Sequence, residues 1–164
     1  MRRQALIVGG GIAGLCAAIS LRLTGWDVQV FEQAPEITEI GAGLQISPNG
    51  VKILEHIGVM ERLNSVLFEP EAIEIRMGVS GRPILYLPMK GPAAQRWGAR
   101  YIQVHRADLI TALSARLDAL QHGAVQTGCP VRSYAPCKDG AEVTLIDGQR
   151  VQADLVIGAD GIHS

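Results

Sequence analysis

The first third of the chain alternates short apolar runs with an amphipathic stretch. Gln4 to Val8 is a short apolar run that ends at glycine, as is typical of a strand buried on both faces. Gly11 to Thr24 carries apolar residues at three- and four-residue spacing and stops at Gly25, which predicts a helix ended by glycine. Asp27 to Phe31 alternates and contains β-branched residues, so it predicts a second strand. These elements predict one βαβ unit.

The middle of the chain reads as mixed helix and strand. Ser47 and Pro48 supply an N-cap and a first-turn proline for a helix. The predicted elements are a loop over Pro35 to Gly43, a helix from Ser47 to Gly58, strands over Ala72 to Met77 and Ile84 to Leu87, a loop over Lys90 to Gly98, a strand over Tyr101 to Val104 and a helix over Asp108 to Leu120.

The last forty residues return to strand patterns. Alternating runs over Val131 to Tyr134, Glu142 to Ile146 and Val151 to Ala153 predict antiparallel strands, with a tight turn at Asp147-Gly148. Leu155 to Ile157 is a short, fully apolar strand. No repeat or linker marks a domain boundary, so the sequence predicts one α/β region over residues 1–164.

The amino-acid composition disfavours some classes of binding partner and favours one cellular compartment. The 164 residues carry 15 Lys plus Arg against 16 Asp plus Glu, so no general positive field attracts nucleic acid or an anionic membrane. Three cysteines form no closed framework and no metal-ligand spacing, which favours a reducing cytoplasm and predicts no metal site. Glycines interrupt the uncharged run from Ala5 to Leu21, which disfavours a signal peptide. The 19 glycines exceed the usual share, and eight of them lie in the first fifty residues.

The clustered glycines form a Gly9-x-Gly11-x-x-Gly14 pattern between the first predicted strand and helix. The first glycine makes the tight turn, Gly11 lets the backbone approach a pyrophosphate, and Gly14 lets helix and strand pack closely. The N–H groups of Ile12 and Ala13 then face the phosphates at the helix N-terminus. The pattern therefore predicts a dinucleotide site.

Glu32 stands at the end of the second predicted strand, where this fingerprint places its acid. A carboxylate accepts hydrogen bonds from a ribose diol and repels a 2′-phosphate, so the residues point to FAD or NAD rather than NADP. The alternative is a flexible glycine turn with a solvated Glu32. The register of strand, helix, Gly25 and Glu32 favours the dinucleotide site.

After Glu32 the chain departs from further βα repeats and enters Gly41-Ala42-Gly43-Leu44-Gln45-Ile46-Ser47-Pro48-Asn49-Gly50. This run, the turn from Ile7 to Gly14 with Glu32, and the run Asp154 to Ser164 (DLVIGADGIHS) occur in the order seen in the FAD-dependent aromatic hydroxylases. The whole chain resembles the N-terminal part of these single-component flavoprotein monooxygenases. Within this family, the sequence is most similar to the branch that contains salicylate hydroxylase and 3-hydroxybenzoate 6-hydroxylase.

The resemblance implies a Rossmann-like FAD-binding fold: a βαβ start and a parallel sheet with an added antiparallel β-meander. It places Gly41 and Gly43 along the flavin. It assigns Arg106 to the phosphate and ribityl chain, and Asp160 to the FAD ribose and a part in NAD(P)H use. Val131 would offer backbone groups to adenine. The cofactor-contacting residues implied beyond the glycine turn and Glu32 are Gln33, Gly43, Gln45, Arg106, Val131 and Asp160.

The activity implied by the resemblance is hydroxylation of a phenolic or aromatic acid, with NAD(P)H and O2, through a C4a-hydroperoxyflavin. The partners expected are a small aromatic substrate and a second copy of the chain, with no nucleic acid and no membrane. The family's second flavin motif, Gly-Asp followed by Ala-Ala-His-Pro, and its substrate-covering sheet are absent from the sequence. We therefore expect a truncated chain, inactive alone, in which no catalytic residue can be named. Two alternatives stay open: a different FAD enzyme, such as an epoxidase, halogenase or isoprenoid reductase, and a non-catalytic nucleotide-binding module.

Overall fold

The computed structural model describes residues 2–37 and 42–163. Short strands alternate with helices in the first half, and strands predominate at the end. In chain order the elements are β1 (Gln4–Val8), α1 (Ile12–Leu23), β2 (Asp27–Phe31), β3 (Gly43–Ile46), α2 (Pro48–His56), α3 (Met60–Leu63), β4 (Ala72–Arg76), β5 (Pro83–Pro88), α4 (Pro92–Trp97), β6 (Ile102–His105), α5 (Arg106–Leu120), β7 (Val125–Gln126), β8 (Val131–Cys137), β9 (Gly140–Leu145), β10 (Arg150–Ala153) and β11 (Leu155–Gly158), followed by a 3-10 turn over Gly161–His163.

The chain divides into two compact units. The first contains Met1–Glu39 and Ile110–Ser164, and the second contains Ile40–Leu109. The first unit is thus built from both ends of the chain, with the second unit inserted between them. In the described part of the chain no helix has the length and apolar character needed to cross a membrane.

A parallel sheet forms the centre of the first unit, in the order β11-β1-β2-β7. Ala5 pairs with Leu155 on one side and with Val28 on the other, both in parallel register. Helix α1 connects β1 to β2, so the βαβ unit predicted from the sequence is confirmed. The two central strands are short and largely buried, and Asp27 is their one charged residue, as is typical of parallel strands covered on both faces.

Helix α1 packs on one face of this sheet. Side chains alternate along β1, so Ile7 faces the helix while Leu6 faces away from it. Ile7, Leu15 and Ile19 are fully buried. Leu15 and Ile19 lie one helical turn apart on α1, so the helix has one apolar stripe toward the sheet. This is the packing that the sequence pattern predicts.

The predicted antiparallel β-meander is confirmed: strands β8, β9 and β10 pair in the order β10-β9-β8. Gly148, at φ +92°, makes the tight turn between β9 and β10 at the predicted Asp147-Gly148 dipeptide. One apolar cluster joins the meander to the other face of the parallel sheet, and its buried members are Leu6, Phe31, Val143, Leu145 and Ala153.

The second unit contains two antiparallel pairs, β3 with β6 and β4 with β5. Helix α2 begins at Pro48 after the N-cap Ser47, as the sequence predicts, although the Ser47 side chain makes no capping hydrogen bond. A small cluster of Met89, Ala93 and Tyr101 anchors the base of the β4–β5 hairpin through Ile73 and Leu87.

Two loop predictions were wrong in the second unit. The segment Lys90 to Gly98 contains helix α4, which begins with Pro92 after Gly91 and buries Ala93 against Met89 and Tyr101. Burial of Ala93 in this cluster therefore stabilises a short helix whose proline and flanking glycines resemble a loop. Gly43, predicted as the end of a loop, begins strand β3, because it pairs with His105 of β6.

Further differences concern element ends and short elements. Helix α5 begins at Arg106 rather than Asp108, directly after β6. Helix α3 and the two-residue strand β7 have too few residues to produce a periodic pattern. Gly41, predicted to lie along the flavin, and Ser164, the last residue of the DLVIGADGIHS run, lie outside the described residues.

Candidate functional site

The glycine-rich turn follows β1 and is tied to the strands on both sides of it. Gly9 adopts φ +105° and donates its N–H to the Phe31 carbonyl at 2.8 Å. A Cβ at Gly9 would lie 2.3 Å from the Ala159 carbonyl oxygen. Both the left-handed backbone and the contact require glycine here, in agreement with its predicted place in the tight turn.

Gly14 and Gly11 lie in opposite environments. A Cβ on Gly14 would lie 1.9 Å from the Gly9 carbonyl oxygen and 3.2 Å from the Ile7 side chain. A Cβ on Gly11 would meet no atom within 4 Å among the described residues. Gly14 is therefore needed for helix and turn to pack, whereas Gly11 borders open space that a ligand can enter.

Helix α1 begins immediately after this open space. Gly11 is its N-cap and has no side chain to cap the first turn, and no acidic residue lies in that turn. The N–H groups of Ile12 and Ala13 belong to the first turn, where they have no partner within the helix. The positive end of the helix dipole adds to their attraction for an anion such as a pyrophosphate.

The Glu32 carboxylate lies against the turn. One carboxylate oxygen accepts the Gly10 N–H at 2.6 Å, and the other accepts the Ala34 N–H at 2.8 Å. The Glu32 backbone is held as well, because its N–H donates to Gln126 and its carbonyl accepts the Cys129 N–H. The side chain is half-buried. A carboxylate has further lone pairs beyond these two bonds, so it can still accept from a ribose diol.

Gly10 packs against Glu32, a contact that was not predicted from the sequence. A Cβ at this position would lie 3.1 Å from both the Cβ and a carboxylate oxygen of Glu32. The fingerprint requires only the first and third of the three consecutive glycines. The extra glycine between them was the available signal that a side chain packs against the turn.

The other predicted contacts of the first unit lie near the carboxyl ends of β1 and β11. Asp160 is exposed, two residues beyond β11, and Val131 is half-buried at the start of β8. Both line a cleft of about 850 Å³ that Val8 and Gly158 also border. Gln33 is exposed directly after Glu32.

The remaining predicted contacts belong to the second unit, where they lie close together. Gly43 pairs with His105, and Gln45 pairs with Gln103 across β3 and β6. The Arg106 N–H donates to the Ala42 carbonyl at 3.3 Å. A Cβ at Gly43 would meet nothing within 4 Å among the described residues. Gly43 and Arg106 therefore sit at the same end of the β3–β6 pair, with open space beside the glycine.

The donor set of the first unit fits the adenosine diphosphate half of FAD: first-turn N–H groups for phosphate, a carboxylate for ribose hydroxyls, and open space above Gly11. In the described part of the chain no group of three or more His, Cys, Asp or Glu could hold a metal ion.

Comparison with known proteins places the chain in a family. The model of the FAD binding domain matches residues 2–164, so the chain belongs to this family. The 3-amino-4-hydroxybenzoate 2-monooxygenase of Streptomyces cremeus is 40% identical over 96% of this chain. The 3-hydroxybenzoate 6-hydroxylase of Polaromonas naphthalenivorans is 34% identical over 97% of it. The resemblance to FAD-dependent aromatic hydroxylases is thereby confirmed.

Solved structures agree with the fold. The chain superimposes with a TM-score of 0.84 on Klebsiella pneumoniae HpxO, solved with FAD and uric acid, at 33% identity and over 99% of the chain. The predicted Rossmann-like FAD-binding fold is confirmed. The chain spans about 40% of the length of this protein and of the two curated relatives.

Proposed function

We propose that this chain is the FAD-binding part of an NAD(P)H-dependent monooxygenase that hydroxylates a small phenolic or aromatic acid with O2. The observation that carries the proposal is the Glu32 carboxylate, held by the Gly10 and Ala34 amides beside the open space above Gly11. The three relatives support the substrate class, because each is named for, or solved with, a small aromatic or heteroaromatic acid.

In this proposal the first unit binds the adenosine and pyrophosphate. The Glu32 carboxylate accepts the ribose hydroxyls, while Gly11 leaves room for the pyrophosphate beside the Ile12 and Ala13 amides. Asp160 contacts a ribose hydroxyl, and Gln33 and the Val131 backbone border the adenine. The two backbone bonds to Glu32 orient its carboxylate before the nucleotide arrives, which reduces the entropy lost on binding.

The second unit would bind the flavin end. Gly43 presents backbone without a Cβ, Gln45 lies two residues further along the same strand, and the Arg106 cation sits at the first position of α5. The Arg106 guanidinium would donate charge-assisted hydrogen bonds to a phosphate oxygen or to the ribityl chain. Bound FAD supplies the redox chemistry, accepting reducing equivalents from NAD(P)H and passing oxygen from O2 to the substrate.

FAD titration tests the cofactor site directly. We expect the wild-type chain to bind FAD and Glu32→Ala to bind it at least about tenfold more weakly, because a charged hydrogen bond contributes roughly 1.5–3 kcal/mol. Glu36→Ala is the matched control, since Glu36 is an exposed acid of the same loop. Equal affinities of the Glu32→Ala and Glu36→Ala variants would refute the ribose role.

A fusion protein tests the activity. This extended fusion joins residues 1–164 to a segment of the Streptomyces cremeus relative. The segment begins directly after the region of that relative that matches this chain. We expect hydroxybenzoates to stimulate the fusion's NAD(P)H oxidation. FAD binding without stimulation by any phenolic acid would favour a different FAD enzyme. FAD binding without NAD(P)H oxidation would favour a non-catalytic nucleotide-binding module.

A further inference from the structure

The loop that follows strand β7 is bonded to the segment that carries Glu32. The Gly128 N–H donates to the Ala34 carbonyl at 2.8 Å, and the Cys129 N–H donates to the Glu32 carbonyl at 2.9 Å. These two backbone bonds form an amide clamp across the two segments. Residues 127–129 belong to no helix or strand, so the clamp continues the pairing of β2 with β7 beyond the end of both strands.

Gly128 has the backbone conformation that the amide clamp needs. Successive N–H groups of an extended strand point in opposite directions, whereas those of Gly128 and Cys129 both donate to one segment. Gly128 adopts φ +65°, a left-handed conformation that turns the chain between the two amides. A Cβ at Gly128 would meet nothing within 4 Å among the described residues. A side chain here would therefore introduce backbone strain rather than a steric clash.

Ala34 connects the clamp to the Glu32 carboxylate. Its carbonyl accepts the Gly128 N–H, while its own N–H donates to one carboxylate oxygen of Glu32 at 2.8 Å. The other carboxylate oxygen accepts the Gly10 N–H at 2.6 Å. The carboxylate thus lies between the glycine-rich turn and a segment that the clamp holds in place.

We infer that Gly128 is a positioning residue of the cofactor site: its left-handed backbone keeps the amide clamp closed, and the closed clamp orients the Glu32 carboxylate toward the ribose of a bound adenine dinucleotide. This inference rests on the proposed function, because it uses the proposed ribose role of Glu32. Gly128 acts through Ala34 and Glu32 rather than by touching the nucleotide.

A side chain at position 128 should weaken cofactor binding, because it makes the closed clamp unfavourable. A left-handed backbone is strained for a residue with a Cβ, and most of all for a β-branched one. Gly128→Val would relieve the strain by leaving this conformation, which separates the two amides and opens the clamp. Binding requires the closed clamp, so the affinity falls in proportion to the fraction of molecules in which it is closed.

Titration with ADP and with FAD tests the inference, because ADP is the adenosine diphosphate half of FAD. We expect Gly128→Val to bind both about tenfold more weakly than the wild-type chain. Gly25→Val is the matched control and should keep the wild-type affinity. Gly25 also has a left-handed backbone, φ +88°, and open space for a Cβ among the described residues, but it precedes β2, at the opposite end of that strand from Glu32.

Two results of these titrations would overturn the inference. One is equal affinity of Gly128→Val and Gly25→Val for ADP. The other is a loss of FAD affinity in Gly128→Val with no loss of ADP affinity. If either valine variant does not fold, Gly128→Ala and Gly25→Ala replace the pair, with a smaller expected difference in the same direction.

A conservative variant separates the left-handed conformation from a general effect of substitution. Asn adopts this conformation more readily than most residues that have a side chain, so Gly128→Asn should bind ADP within about threefold of the wild-type chain. A Gly128→Asn variant as weak as Gly128→Val would contradict the role assigned to the backbone of Gly128.

A double-mutant cycle tests whether Gly128 acts through Glu32. In a Glu32→Ala background, Gly128→Val should change the ADP affinity by less than about threefold, because the carboxylate that the clamp orients is absent. A general loosening of the chain would instead lower the affinity by the same factor in both backgrounds, and that result would contradict the positioning role.

Amide hydrogen exchange distinguishes failure of the inference from failure of the proposed function. The Gly10 and Ala34 amides, which bond the Glu32 carboxylate, should exchange at least about threefold faster in Gly128→Val than in Gly25→Val, with or without nucleotide. A chain that shows this difference but binds neither ADP nor FAD contradicts the proposed function and supports the clamp. Nucleotide binding with equal exchange in the two variants contradicts the inference alone.

Discussion

Gly11 and Gly14 are three residues apart in one turn, yet the structure predicts different consequences for the same substitution. Gly14→Ala should destabilise the fold by roughly 3 kcal/mol, because the new Cβ would lie 1.9 Å from the Gly9 carbonyl oxygen. Gly11→Ala should lower the free energy of unfolding by no more than about 1 kcal/mol, the usual cost of alanine at an N-cap, because its backbone is extended and its Cβ would meet nothing within 4 Å among the described residues. Urea denaturation of both variants measures the difference.

The same substitutions can be compared by their effect on FAD affinity, measured by titration. Gly11→Ala should weaken FAD binding by at least about tenfold while the protein stays folded, since the added methyl occupies the space proposed for the pyrophosphate. A Gly11→Ala variant with wild-type affinity would show that the cofactor does not pass this residue. A Gly14→Ala variant of wild-type stability would contradict the packing of turn and helix.

Cys16 gives a prediction that depends on pH. Burial within helix α1 raises the pKa of the Cys16 thiol, because the thiolate loses hydration. The protonated thiol is therefore favoured in the folded chain. Its stabilising contribution is present below the ordinary thiol pKa of about 8.5 and is lost as pH rises through the raised value.

Alkylation of a Cys129→Ser/Cys137→Ser variant, in which Cys16 is the remaining thiol, measures this effect. The iodoacetamide rate of the folded protein should increase at a higher pH than the rate of the same protein in urea. Superimposable pH profiles in buffer and in urea would contradict the burial effect. The comparison uses one thiol in two states, so differences between cysteines do not enter.

At the scale of elements, a side chain completes the sheet where a strand is too short. Strand β7 begins at Val125 and bonds only the last part of β2. Before that point the Gln121 amide takes its place: Oε1 accepts the Val28 N–H at 3.1 Å, and Nε2 donates to the Val28 carbonyl at 2.7 Å. Helix α5, which ends one residue earlier, thus positions a substitute for two ladder bonds.

Gln121→Leu should cost about 2 kcal/mol of stability, because it leaves two backbone groups of the buried Val28 without these partners. Gln152→Leu is the control, since Gln152 is exposed and bonds only another side chain, that of Glu142, through its amide nitrogen; it should change stability by less than about 0.5 kcal/mol. Chemical denaturation with equal midpoints for the two variants would contradict this account.

At the scale of the first unit, the sheet and the meander are held together by one apolar layer. Leu145 is 4% exposed within that layer, and the next residue, Ile146, is 62% exposed. Leu145→Ala should lower the free energy of unfolding by about 2–5 kcal/mol, because it leaves a cavity between the two sheets. Ile146→Ala should change it by no more than about 0.5 kcal/mol.

Thermal or urea unfolding of these two neighbours tests whether the layers fold as one. The Leu145→Ala transition should remain a single step at a lower midpoint, because the same cluster contains Leu6 of the sheet and Val143 of the meander. A biphasic transition would show instead that the meander unfolds separately. A large loss for Ile146→Ala would contradict its exposed position.

Local patterns allowed much of this fold to be predicted. The apolar run of β1, the helical spacing of α1 and the glycine of the β9–β10 turn depend on neighbouring residues, and the structure confirms all three. Helix α4 and strand β3 could not be predicted in this way. Their stability comes from contacts with Tyr101 and with β6, which are not visible in the local sequence.

The same division applies to the candidate site. The fingerprint from Gly9 to Gly14 with Glu32 could be predicted because glycine spacing and an acid after β2 are local features of a βαβ unit. Three features of the site depend instead on tertiary packing: Gly10 donates to the Glu32 carboxylate, the Ala159 carbonyl lies against Gly9, and β11 borders an open cleft. Each of these joins residues that are distant in the chain, so packing, rather than periodicity, brings them together.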